Sequence, residues 1–204
     1  MRKLLAIALA IIVLPSYCMA GNDNYCSWTA LHFTARLNDR WSVGNYSEGR
    51  FKDSGFDQVF FRMFGSYKAG AGFQLKFQND FAFLSSGFSL RLIPEVMWTR
   101  KTGALAFSLR QRMMWSWKKE SGQWTLWHRT RGMVVWDIAG SRLSPLFAVE
   151  PFYRDVLSRC RYYFGVKMPV GAGTSLMLQY MRQDFTGAHA DDNVLWLTCS
   201  FHIP

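Results

Sequence analysis

The stretch FSLRQRMMW, residues 107–115, places two arginines inside an otherwise aromatic and aliphatic segment. Its side chains alternate with a period of two, which is the period of a β-strand. The apolar face of this strand and its continuation carries Leu105, Phe107, Leu109, Met113 and Trp115. The opposite face carries Ser108, Arg110 and Arg112. The two faces of this strand therefore need different surroundings, one apolar and one that accepts guanidinium groups.

The same alternation recurs along the chain in blocks of about ten residues, which short turns rich in Gly, Asn, Asp, Ser and Lys separate. The blocks are 26–36, 41–52, 57–67, 72–82, 88–98, 104–117, 124–136, 143–153, 158–168, 174–184 and 193–203. Tryptophan and tyrosine gather at block ends, where the interfacial girdles of a membrane barrel would lie. The pattern favours a membrane β-barrel with apolar side chains facing lipid, and such a sheet must close because lipid cannot satisfy an open edge.

The first twenty residues have the features of a secretory signal peptide. Arg2 and Lys3 precede an apolar run that is too short to span a bilayer, and Cys18-Met19-Ala20 provides small residues for cleavage. We therefore expect a signal peptide at 1–20 and one barrel domain at 21–204. A lipidated Cys18 is the alternative for this segment.

The chain carries a net charge of +10, and the loss of two basic residues with the signal peptide leaves +8. An exported protein rarely meets nucleic acid, so we expect none as a partner. Anionic lipid, lipopolysaccharide phosphates or internal ion pairs explain this charge better.

Cysteine and histidine give no site in this sequence. Cys26, Cys160 and Cys199 are an odd set without a metal-binding spacing, and we interpret them as small apolar residues, although one pair could form a disulfide. The histidines are scattered, so neither a metal nor another cofactor is predicted.

The fold class predicted is all-β, an antiparallel up-and-down transmembrane β-barrel. An even number of strands is expected for a closed antiparallel barrel with both termini on one side. We therefore predict about 10 strands, with 8–12 allowed, and expect one block within 72–98 to be miscounted. Pro94 and Pro151 lie inside blocks, where each removes a ladder donor and should produce a bulge or a strand end.

Several segments also resemble a family of secreted bacterial proteins known as domain of unknown function 2490. The similar features are the Glu150-x-Phe152 pair, an Arg-x-Arg strand that leads to a glycine, a tyrosine followed by glutamine, and an early tryptophan. The residues of the last three are Arg159, Arg161, Gly165, Tyr180, Gln183 and Trp28. The resemblance implies an outer-membrane barrel and no known reaction. Such barrels often end on an aromatic residue that the insertion machinery recognises, and here Phe201 would have to serve.

Symmetric hairpins would bring like charges together on the polar face. Arg110 would face Arg131 and Arg112 would face Arg129, an arrangement that requires counter-charges. Glu150 and Glu95 can supply them. We therefore predict a lumen charge network and possible anion site of Arg110, Arg112, Arg129, Arg131, Glu150, Arg161 and Glu95.

The function predicted is that of a small outer-membrane barrel with an Arg/Glu-lined and largely plugged lumen. Its role would be structural, or that of a narrow pore or accessory in the envelope, with outer-membrane lipid, lipopolysaccharide and the insertion machinery as partners. One alternative is a lipid-A-type hydrolase on the membrane face, although His128 and Thr130 lack a converging serine and acid, so no enzyme is predicted. The other alternative is a soluble periplasmic barrel that binds a hydrophobic ligand. The sequence leaves the oligomeric state open.

Overall fold

The described part of the chain folds as a single sheet of eleven strands that closes into a barrel. This computed structural model describes residues 24–204 except 53–54 and 188–189, so the predicted signal peptide lies outside the described residues. The strands are β1 (Asn24–Arg36), β2 (Trp41–Lys52), β3 (Gly55–Gly70), β4 (Phe73–Leu84), β5 (Gly87–Thr102), β6 (Leu105–Lys118), β7 (Gln123–Trp136), β8 (Ser144–Tyr153), β9 (Leu157–Gly171), β10 (Thr174–Phe185) and β11 (Asp192–Ile203).

The barrel closes between β1 and β11, and this seam is parallel. Every other pair joins neighbours in the chain and is antiparallel. The eleven described strands are one more than the predicted number of about 10 and lie within the predicted range of 8–12. The expectation of an even number is wrong, because a single parallel seam lets an odd number close. All eleven alternating blocks form strands, including both blocks within 72–98.

The parallel seam also determines where the chain ends lie. Asn24 pairs with Asp192 and Ala35 pairs with Ile203, so the first and last described strands run side by side in the same direction. The described chain therefore starts at one end of the barrel, here called the Asn24 end, and finishes at the other, the Ile203 end.

The outer wall is apolar and the interior is polar. Phe61, Phe77 and Phe164 are each about half exposed on the outer wall, whereas Arg112 and Glu150 are buried and line the interior. This orientation is the reverse of that required by a soluble barrel with a hydrophobic interior. In the part of the chain that the structure describes, no helix is long and apolar enough to cross a membrane.

One side of the interior is filled by a small apolar core. Its buried members are Cys26, Trp28, Ala148, Tyr163, Met181 and Val194, with Met133 and Trp196 packed against them. The rings of Trp28 and Trp196 meet edge to face, with centroids 5.3 Å apart. Since these residues lie on β1 and β7 to β11, the remaining space lies towards the other strands. Cys160 and Cys199 are free thiols.

Both predicted proline irregularities occur beside an acidic residue. The β5–β6 pairing passes from Leu92 directly to Glu95, so Pro94 has no partner on β6. The β7–β8 pairing omits Pro151 in the same way. Since proline cannot donate a ladder hydrogen bond, each break lies directly next to one of the carboxylates that enter the lumen.

Candidate functional site in the lumen

The interior contains a cavity of about 670 Å³ whose lining is strongly basic. Among the residues that the structure describes, twelve basic side chains face four carboxylates there. The basic residues are Arg50, Arg62, Lys76, Arg91, Arg110, Arg112, Lys118, Arg129, Arg131, Arg154, Arg159 and Arg161. The carboxylates are Glu48, Asp80, Glu95 and Glu150. The wall of the cavity therefore carries eight more positive than negative charges.

Glu150, on β8, is the acceptor at the centre of the predicted network. Its Oε1 accepts hydrogen bonds from Arg110 at 2.7 Å and from Arg129 at 3.0 Å. Its Oε2 accepts a hydrogen bond from the Tyr163 hydroxyl at 2.6 Å, and only 1% of the residue is exposed. A single carboxylate thus joins β6, β7 and β9.

Glu95, on β5, holds the other arginine of the 107–115 stretch. Its Oε2 accepts a hydrogen bond from Arg112 Nε at 2.8 Å and another from the Gln78 amide at 2.9 Å. The Nε of Arg110 lies 3.9 Å from the same oxygen. Glu95 and Glu150, the two acidic residues predicted from the sequence, therefore both lie close to Arg110, which links the contacts of one to those of the other.

The remaining arginines predicted from the sequence have fewer contacts with carboxylates. Arg110 pairs across the hairpin with Arg131, and Arg112 pairs with Arg129. Arg131 contacts the sulfur of Met133 at 3.8 Å. Arg161 faces Glu150 in the β8–β9 register but donates its hydrogen bond to Gln183, at 2.5 Å. The structure thus brings all seven selected residues to one cavity. Arg131 and Arg161 make their side-chain contacts there with neutral groups and not with a carboxylate.

A second charged cluster lies on β2, β3 and β4, outside the residues selected from sequence. Arg62 binds Asp80 through both carboxylate oxygens, with Nη2 to Oδ2 at 2.6 Å. Arg50 Nε donates to Glu48 at 2.5 Å, and Tyr46 also donates to Glu48. The sequence could have indicated this cluster, because the alternation in residues 41–52 and 57–67 places these charged side chains on the interior face of their strands.

Guanidinium groups stack on the aromatic rings of the lumen. Phe152, buried to 1% exposure, contacts three of them: Arg129 at 4.2 Å, Arg159 at 4.4 Å and Arg161 at 4.6 Å from the ring centroid. Such contacts stabilise a cation by about 0.5–2 kcal/mol each. They therefore support several arginines without neutralising any of their charge.

A second cavity of about 540 Å³ lies at the Ile203 end, with Arg36, Arg40 and Lys68 in its wall. The two cavities have no lining residue in common. Between them, the His32 ring lies 5.5 Å from the Phe64 ring and 6.2 Å from the His202 ring. We call the Ile203-end cavity the vestibule, and the layer that divides it from the main cavity is aromatic.

The outer wall holds the residues of the hydrolase alternative. His128 is exposed there, and its partners across the sheet are Met113 and Tyr153, neither of which is an acid. Thr130 donates a hydrogen bond to the Gln111 amide oxygen at 2.8 Å. Within the described ranges, no group of three or more His, Cys, Asp or Glu side chains could hold a metal ion.

Comparison with known proteins gives a family and a fold. A family model described as "Protein of unknown function (DUF2490)" matches residues 26–194. A solved structure of the NanC porin, in a rhombohedral crystal form, has a TM-score of 0.54 and is 18% identical in sequence. The similarity covers 84% of this chain and 91% of that one. A search of the curated proteins finds no significant match.

Proposed function

Because the chain belongs to the DUF2490 family of proteins of unknown function, we propose a role from its geometry: an outer-membrane barrel that provides a narrow passage for small anions. The observation that carries this proposal is the charge imbalance in the described part of the cavity wall, where twelve basic side chains meet four carboxylates. Within low-dielectric walls such an excess attracts anions and repels cations.

The outer wall supports the membrane location. Large apolar side chains such as Phe61, Met63 and Phe77 are exposed near the middle of their strands. The tryptophans at strand ends, Trp41, Trp124 and Trp136, are exposed as well. This is the distribution that a lipid-embedded barrel requires. Outer-membrane lipid and lipopolysaccharide are accordingly the partners that we propose, with β11 as the strand read during insertion.

The vestibule adds a basic entrance at the Ile203 end. Arg36 is partly neutralised by an ion pair with Asp39, whereas Arg40 donates to the neutral Tyr67 hydroxyl at 3.3 Å. The aromatic layer around Phe64 limits the width of the route between vestibule and main cavity. We therefore propose a low conductance and a size limit, with anion preference set in the main cavity.

Planar lipid bilayers test this proposal directly. The mature chain, folded in lipid under a potassium chloride gradient, should give small currents whose reversal potential shows chloride to be preferred. Arg131→Glu should reduce that preference, since it removes one positive charge from the lumen and adds one negative charge that faces Arg110. Arg100→Glu, at an exposed position near the end of β5, is the matched control and should change it little.

Two results would contradict the proposal. A cation-selective current would overturn anion preference, and folded protein that conducts nothing would favour the structural, plugged role. The apolar core around Trp28 and Tyr163 gives that second candidate its physical basis, because it fills part of the lumen. A deletion strain would then show an envelope defect without a change in anion uptake.

A further inference from the structure

We propose that Arg50, Arg91 and Arg159 form a binding site for a divalent tetrahedral oxyanion, of the phosphate or phosphomonoester class, inside the Asn24 end of the lumen. The inference rests on the proposed anion passage and deepens it, because it locates where a passing anion is held. We call these residues the three-arginine ring.

The strand positions place the three side chains at one level. Arg50 is the third residue from the end of β2, Arg91 the fifth residue of β5, and Arg159 the third residue of β9. β2 ends, and β5 and β9 begin, at the Asn24 end, and all three residues line the main cavity.

The strand order spreads the ring around the barrel. Around the closed sheet, β2 and β5 are three strands apart, β5 and β9 four, and β9 and β2 four. Three inward-facing guanidiniums therefore approach the cavity from nearly equal angles. A tetrahedral oxyanion presents several oxygens to such an arrangement, and each planar guanidinium can donate two hydrogen bonds to it.

Two members of the ring lack a counter-charge. Among the described residues, neither Arg91 nor Arg159 forms an ion pair, and the Nε of each is buried without a hydrogen-bond partner. Asp80, the cross-strand neighbour of Arg91, uses both oxygens on Arg62. The cross-strand neighbours of Arg159 are phenylalanines, Phe152 and Phe185.

The aromatic rings hold these guanidiniums in place without neutralising them. Arg50 and Arg91 both lie over Phe60, at 4.4 and 4.8 Å from its centroid. Arg159 lies over Phe152 at 4.4 Å and over Trp127 at 5.4 Å. The two uncompensated charges match the charge of about −2 that a phosphate monoester carries at neutral pH.

Isothermal titration calorimetry of the mature chain in detergent micelles, with inorganic phosphate as the probe, tests the site without requiring conduction. We expect saturable binding of one phosphate per chain, weakened at least tenfold by Arg91→Gln and by Arg159→Gln. Arg131→Gln is the matched control, because Arg131 also lines the lumen but lies outside the ring, with its guanidinium against the Met133 sulfur. It should weaken binding less than threefold.

The control separates a site from a diffuse field. Equal weakening by all three variants, or no saturable binding by the wild type, would overturn the three-arginine ring. If a glutamine variant does not fold, Arg159→Lys keeps the charge but not the fork, and it should still weaken phosphate binding several-fold. An anion-selective current in bilayers together with absent phosphate binding would reject this site and leave the passage intact. Phosphate binding without anion selectivity would reject the passage alone.

Discussion

Glu150 compensates two buried guanidiniums, because its carboxylate accepts hydrogen bonds from Arg110 and Arg129 and, in addition, from the Tyr163 hydroxyl. Glu150→Gln would leave the buried Arg129 without its counter-ion and Arg110 with only the more distant Glu95. Loss of one partner from a buried ion pair costs about 3–5 kcal/mol. We expect a decrease of that size in the free energy of unfolding, measured by urea titration of the folded protein in lipid vesicles.

An exposed carboxylate provides the control for that measurement. Asp155 lies in the turn between β8 and β9, and Asp155→Asn should change the unfolding free energy by less than about 0.5 kcal/mol. Equal stability of the Glu150→Gln and Asp155→Asn proteins would show that the arginines do not depend on the central carboxylate.

Gly165 marks a close approach of two strands. A Cβ at this position on β9 would overlap the backbone carbonyl oxygen of Leu178 on β10, which cannot move without disturbing the ladder. Overpacking of this kind costs about 1–3 kcal/mol, so Gly165→Ala should lower the unfolding free energy by that amount. Gly132→Ala is the control, because nothing lies within 4 Å of its Cβ position. A Gly165→Ala protein as stable as the Gly132→Ala protein would contradict the close approach.

At the scale of strands, alternation predicted the elements but could not predict their closure. All eleven blocks form strands, because apolar and polar side chains alternate with a period of two in each of them. The parallel pairing of β1 with β11 could not be predicted from the sequence, since it depends on the tilt and stagger of the strands. The paired residues are also far apart in the chain: Asn24 and Asp192 are separated by 168 positions. Counting strands by an antiparallel rule therefore failed by one.

The lumen shows the same limit of sequence reasoning. Hairpin symmetry alone was sufficient to propose that Arg110 lies opposite Arg131, because the two strands are joined by a short turn. For contacts across the interior, between strands that no short turn joins, hairpin symmetry predicts no partner. Arg161 over Trp28, at 5.2 Å, joins β9 to β1, two strands that are distant in sequence. Predicting them requires the diameter of the barrel and its closure.

The parallel seam can be tested with a native thiol. Leu31 on β1 is paired directly with Cys199 on β11, and both side chains lie on the outer wall. Neighbouring strands lie about 4.8 Å apart, which is within the range of about 4.4–6.8 Å between Cα atoms that a disulfide allows. In Leu31→Cys, mild oxidation should give an intramolecular disulfide between positions 31 and 199, detected by mass spectrometry of the digested protein.

Two variants control the cross-link. Leu31→Cys combined with Cys199→Ser should give no disulfide at this seam. Phe33→Cys, two residues along the same face and paired with Phe201, should react with Cys199 far more slowly. Efficient linkage from position 33 instead of 31 would show a different register, and so a different closure.

We expect the aromatic layer around Phe64 to be the narrowest part of the lumen. Phe64 lies over Gly44, where even a Cβ would overlap its ring, and against His32 and the Lys76 ammonium group. Phe64→Ala removes this ring and joins the vestibule to the main cavity. We expect single-channel conductance in bilayers to rise at least twofold with anion preference retained, whereas Phe61→Ala on the outer wall should not alter it. An unchanged conductance in Phe64→Ala would place the constriction elsewhere.

The orientation of the entire barrel leads to a prediction about depth in the membrane. Phe61 lies on the outer wall near the middle of β3, whereas Phe73 begins β4, and both are about half exposed. An arginine facing lipid costs about 2–4 kcal/mol at the bilayer midplane and about 0–1 kcal/mol near the interface. Phe61→Arg should therefore lower the unfolding free energy in phospholipid vesicles much more than Phe73→Arg does. Equal and small effects would mean that water, and not lipid, covers the outer wall, and the inward arginines would then need another explanation than a polar lumen within a membrane.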